Sequence, residues 1–131
     1  MRFADYMAAF NREDDAALVR DFWTEDCVME SGGRAVYRGQ AELLAFLDGL
    51  HDGIRETMRI QALIEGENRI FAEIDMDFTA TRDRPDFLFA PLKAGETATV
   101  KVFAHYRTEG GKVAHLKTAI WPAGVGVTKA G

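Results

Sequence analysis

The sequence predicts an α+β domain, with helices first and a long antiparallel sheet last. Three observations carry this reading. Apolar residues recur at helical spacing up to Leu50, the period changes to two from Ile54 onward, and Thr97 to Trp121 reads as two strands joined by the tight Glu109-Gly110-Gly111 loop. The length of 131 residues suits one domain with a real core and no second one. A net charge of -5 with thinly spread Lys and Arg argues against a nucleic-acid surface. No apolar run is long enough for a bilayer-spanning helix, so no membrane partner is expected. The single cysteine, Cys27, has no internal disulfide partner and no apolar run follows a basic start, so the expectation is a cytoplasmic protein.

In chain order, Phe3, Tyr6, Met7 and Phe10 form the apolar stripe of a first short helix, and the stripe carries a phenol. Asp14 or Asp15 caps a second helix that turns Ala17, Leu18 and Phe22 inward. Cys27 to Ser31 is a brief strand with Cys27 as a small buried hydrophobe, Ser31-Gly32-Gly33 is a turn, and Val36 to Gly39 leads into a third helix, Gln40 to Leu50. That helix buries Leu43, Leu44, Phe46, Leu47 and Leu50, and His51 stands just past its stripe, where the negative end of the helix dipole favours a cation.

From Ile54 the residues Met58, Ile60, Ala62 and Ile64 alternate with polar ones up to the Glu65-Gly66-Glu67-Asn68 turn. In the next strand Ile70, Ala72, Ile74, Met76 and Phe78 take one face, while Glu73, Asp75, Asp77 and Thr79 take the other. Arg82 to Glu96 is a long connection too apolar to be solvated slack, and it acts either as a lid or as an arm to a partner subunit. If Thr108 pairs with Lys112, Tyr106 faces Ala114 and His105 faces His115. Val100, Val102, Ala104, Tyr106, Ala114, Leu116 and Thr118 then make a dry face, and Lys101, Phe103, His105, Arg107, His115, Lys117 and Trp121 a mixed one. One domain over residues 1–123 is expected, with residues 124–131 as a flexible tail.

Tyr6-Met-Ala-Ala-Phe-Asn, Phe22-Trp-Thr-Glu-Asp-Cys-Val-Met-Glu, Tyr37-Arg-Gly before a helix, and His105-Tyr-Arg-Thr-Glu-Gly-Gly-Lys-Val occur in an order that resembles the nuclear transport factor 2-like superfamily. Within it the chain is most similar to SnoaL-like and ketosteroid isomerase-like proteins. The resemblance implies a cone-shaped barrel in which a strongly curved antiparallel sheet wraps the N-terminal helices around a cavity, with dimerisation through the sheet's outer face. Isomerase chemistry of this kind needs a base beside a carbonyl and two donors for the enolate oxygen. By position the phenol role falls on Tyr6, the base role on Ser31 with Glu30 one residue away, and the second donor on Ala104. The polyketide cyclases of the family use an aspartate and a histidine on late strands, where this chain turns Thr118 and Ile120 inward.

The candidate catalytic residues are therefore Tyr6 as donor and Glu30 as base, the latter on condition that a bulge near Ser31-Gly32 turns it inward against strand alternation. Candidate ligand-binding residues are Ser31, Met76, Phe78, Val102, Ala104, Tyr106, Leu116 and Thr118. No cofactor and no metal are expected, the His105/His115 pair reading as a surface or interface feature. The expected function is to bind a small hydrophobic, partly oxygenated molecule in an apolar cavity, with metal-free isomerase, cyclase or dehydratase chemistry. The alternative is a non-catalytic homodimeric module for ligand binding or protein interaction. Phe103 and Trp121, with His105 and His115 beside them, mark the outer face on which a twofold dimer is expected.

Overall fold

The structure, a computed structural model, describes residues 1–123 and 126–130. Among these residues are three helices, α1 (Phe3–Phe10), α2 (Asp15–Phe22) and α3 (Gly39–Leu50). Seven strands accompany them: β1 (Trp23–Ser31), β2 (Ala35–Arg38), β3 (Ile54–Glu65), β4 (Arg69–Ala80), β5 (Thr97–Glu109), β6 (Lys112–Ile120) and β7 (Val127–Ala130). No helix among the described residues is long and apolar enough to cross a membrane.

The apolar stripe of α1 buries Phe3, Tyr6, Ala9 and Phe10, as its spacing requires. Asp14 caps α2, its Oδ1 accepting the Ala17 N–H at 3.0 Å, and this leaves Asp15 free for another task. Between these helices Asn11 reaches across to β3, its side-chain oxygen accepting the Met58 N–H at 3.0 Å. Gly53, at φ +69°, ends the link from α3; a Cβ there would lie 2.7 Å from the Arg82 side chain.

The strands form one curved, open sheet in the order β2-β1-β6-β5-β4-β3, with β7 also on β5. This is the expected cone, with one difference: β1 pairs with β6 in parallel, so the sheet is mixed. The hairpin register also differs from the expected one. Glu109 pairs with Lys112 around Gly110 and Gly111, both at positive φ as a two-residue turn requires, and a bulge after Val113 then sets Arg107 against His115 and Tyr106 against Leu116. Each change shifts the pairing by one residue. Together they preserve which side chains face inward, so Tyr106, Leu116 and Thr118 stay on the helix-covered side.

A second bulge, between Ile60 and Ala62, swaps the faces of the far half of β3. Ile64, expected inside with Ala62, is 71% exposed. The tail expected to be flexible contains β7, which pairs with Thr97 to Val100 and continues the line of β6 along β5. Positions 124, 125 and 131 of that expected tail lie outside the described residues.

The core has two parts. The larger lies between the helices and the sheet, and the smaller gathers Ile54, Phe78, Ala80, Phe87, Leu92, Ala98 and Val100 under the connection from β4 to β5. That connection folds onto its own chain. Arg84 and Leu92 exchange backbone hydrogen bonds of 2.7 and 3.0 Å. The Arg84 guanidinium donates to the Asp52 carbonyl oxygen and lies 5.6 Å from the centre of the Phe87 ring.

Candidate functional site

The inner face of the sheet, α1 and α3 enclose an apolar cavity of about 90 Å³. One water-sized molecule needs roughly 10–15 Å³ on the same measure, so a small organic molecule fits. Curvature makes this space: inward residues of β4, β5 and β6 form one wall, and Tyr6, Leu43 and Leu47 from the helices form the other. Phe89, from the long connection, lines one side and packs 5.2 Å from Phe78, with the Arg34 guanidinium 4.9 Å from its ring centre.

Nine of the ten sequence-chosen residues line this cavity: Tyr6, Ser31, Met76, Phe78, Val102, Ala104, Tyr106, Leu116 and Thr118. The exception is Glu30. No inward bulge forms at Ser31, so strand alternation directs Glu30 to the outer face. There its carboxylate lies 2.5 Å from His115 Nε2 and 4.0 Å from Lys117 Nζ. The base assignment to Glu30 is therefore corrected.

The carboxylate that does reach the cavity is Glu56, near the start of β3. Its Oε1 lies 2.6 Å from His51 Nε2, and His51 Nδ1 lies 2.6 Å from Asp15 Oδ2. Three elements are thereby joined: the first residue of α2, the residue after α3 and the inner face of β3. The Glu56 side chain is 5% exposed and that of His51 17%. Burial works against an imidazolium at His51, but the two carboxylates outweigh it and push its pKa up to about 9. Burial raises the Glu56 pKa, and the hydrogen bond to His51 opposes that rise. At neutral pH His51 is a cation donating to both neighbours.

Tyr6 and Tyr106 stand beside this chain with ring centres 5.6 Å apart. Burial pushes both phenols well above their ordinary range, and the Glu56 charge adds to the rise, so each stays a donor at neutral pH. The Trp23 indole is close enough to Tyr6 to offset part of that phenol's rise, yet no well-formed hydrogen bond joins them. Trp23 Nε1 is buried without an acceptor among the described residues.

Glu56 also borders a second space. An outer cleft of about 220 Å³, lined by Phe10, Glu13, His51, Ile54 and Glu56, lies behind the cavity. The carboxylate therefore stands between the interior and solvent. Sequence reasoning passed over Glu56 and took His51 only as a helix-end cation. The signal was present: Glu56 has the parity of Ile54 and Met58, so a carboxylate sits on the dry face of β3. Among the described residues no group of three or more His, Cys, Asp and Glu side chains is arranged to hold a metal ion.

Solved structures with this fold include a candidate polyketide cyclase from Xanthomonas campestris pv. campestris, 22% identical, covering 89% of this chain and 85% of that one with a TM-score of 0.74. A candidate SnoaL-like polyketide cyclase from Shewanella denitrificans OS-217 is 13% identical, with 90% and 86% covered and a TM-score of 0.75. An LEH-like epoxide hydrolase from M. tuberculosis is 13% identical, with 90% and 78% covered and a TM-score of 0.70. At such identities these likenesses establish the fold alone. No curated protein matches the chain. The SnoaL-like domain matches residues 3–116, nearly the whole of the cone described above, and the chain belongs to that family.

Proposed function

We propose that this SnoaL-like protein binds a small hydrophobic, partly oxygenated molecule in the cavity and moves a proton beside the ligand's oxygen-bearing carbon. Isomerase, cyclase and dehydratase reactions share that step. The observation that carries the reading is a buried carboxylate, Glu56, on the wall of an otherwise apolar cavity next to a buried phenol, Tyr6. Low polarity around the carboxylate makes it a stronger base than one in water. His51, bonded to Oε1, orients the carboxyl group, and Asp15 orients His51 in turn. Tyr6 donates to the ligand oxygen as negative charge develops there. Both titrating groups are supplied by the chain itself.

The test follows solvent deuterium entering the carbon beside the carbonyl of small cyclic ketones, read by proton NMR. Glu56→Gln is expected to reduce catalysed exchange by about a hundredfold or more, the usual worth of a positioned base. Tyr6→Phe is expected to reduce it by at least about tenfold. Ketones that quench the buried Trp23 in a Trp121→Phe background without any catalysed exchange would assign the protein to the binding modules instead. We also propose that a second copy of the chain covers the outer sheet face around Phe103 and Trp121.

A further inference from the structure

Five basic side chains, Arg69, His105, Arg107, His115 and Lys117, surround a concave space of about 210 Å³ on the outer face of β4, β5 and β6. Their placement is costly. The register sets Arg69 directly opposite Arg107, Arg107 opposite His115, and His105 opposite Lys117. Of these pairs Arg69 and Arg107 are two fixed like charges directly across the sheet, and they repel one another. The chain as a whole carries a net charge of -5, so the cluster is not part of a general basic surface.

Two carboxylates stand at the rim: Glu30, 2.5 Å from His115 and 4.0 Å from Lys117, and Glu109, 2.6 Å from Arg107. Arg69 has no carboxylate partner among the described residues. Its Nη1 lies 3.0 Å from His105 Nε2, and the imidazole is stacked on Phe71 with ring centres 4.2 Å apart. Burial and the surrounding cations hold His105 below its ordinary pKa, so it is neutral and accepts from Arg69. The guanidinium is thereby fixed at the edge of the concavity, with donors from β5 and β6 on the other sides.

We propose that this concavity is a binding site for a phosphate-type oxyanion, either free or as the terminal group of a larger molecule. Donors converging from three strands suit a tetrahedral anion with several acceptor oxygens. The anion would relieve the repulsion that the register imposes. The inference is independent of the cavity chemistry, since none of these side chains lines the cavity.

The chain has three histidines, and their imidazole NMR signals make the test internal. Potassium phosphate is titrated into the full-length protein at constant ionic strength, with chloride as the replaced anion. Phenyl phosphate is then titrated in the same way to tell a free anion from a terminal group. Saturable movement of His105 and His115, with His51 still, is the expected result. Arg69→Ser should weaken the effect about tenfold, and in chloride it should melt no lower than the native protein, because a like-charge neighbour has been removed. Equal movement with chloride, or movement of His51 to the same degree, would mean simple screening and overturn the proposal. So would movement that follows protein dilution together with a change in sedimentation, which would assign the cluster to a second copy's carboxylates.

Discussion

Burying Glu56 against His51 changes how many protons the folded chain holds, and stability must follow. His51 rises from an ordinary value of 6.5 to about 9 on folding, and the Glu56 pKa rises as well. For both groups the native state binds more protons than the unfolded chain. Their contribution is thus fully present below the unfolded pKa values and is lost as pH rises through the folded ones. Urea midpoints are expected to fall between about pH 6.5 and pH 9, by an amount on the order of a few kcal/mol for the His51 part. His51→Ala should flatten that slope and lower stability at pH 7, because it leaves Glu56 buried without its cation. A wild-type midpoint that is level across this range would show that His51 is not held as an imidazolium. Strand alternation contains half of this site. It put Ser31 and Thr118 in the cavity and turned Glu30 away from it, while helical spacing on α1 supplied Tyr6. What it does not contain is the contact of Asp15 with His51, because 36 residues separate them and only the packing of α2 against α3 brings them together.

Elements show the same division between local pattern and tertiary geometry. Period two identified β4 and β5 and their inward faces, since both are long strands with one dry side. The bulges in β3 and β6 left no comparable trace, because each depends on how the sheet bends around the helices rather than on residue type. β7 was illegible for a related reason: it is a short strand held by an existing partner, with Val127 its only inward apolar contact of note. The connection from β4 to β5 was legible as apolar but not as fixed. Phe87 is 5% exposed and packs between Phe78 and Phe89, whereas its neighbour Leu88 is 50% exposed. Phe87→Ala is therefore expected to cost about 3–5 kcal/mol in urea unfolding, and Leu88→Ala no more than about 0.5 kcal/mol. Similar small costs for the two would mean that the segment is a loose flap rather than a wall of the cavity.

At the scale of the molecule the proposed second copy covers the outer face of the sheet. Phe71, Phe103 and Trp121 are 49%, 44% and 60% exposed, and Ile64 joins them as the β3 bulge turns it outward. Ile64, Phe71 and Phe103, with Ala62 and Ala119, line a groove of about 430 Å³, and the Trp121 ring centre lies 6.5 Å from that of Phe103. Side chains of this size held at one surface lose free energy when covered, at about 25 cal/mol per Å² of apolar area. Asp75 and Asp77 beside them contribute little to any charge pairing between copies, since Asp77 is already bound by Arg59 and Thr99 and Asp75 lies 3.7 Å from Arg59. In the proposed dimer the apolar centre supplies most of the association, and a twofold axis near Phe103 would set that patch against itself. Phe103→Asp introduces two like charges at such an axis, and the resulting chain should sediment as a monomer while the native protein sediments as a dimer. Phe103 points away from the cavity, so ligand quenching of Trp23 should survive the substitution. That pairing of results separates loss of the interface from loss of the fold. A native protein that sediments as a monomer, or a Phe103→Asp variant that remains a dimer, would remove the outer face from the assembly.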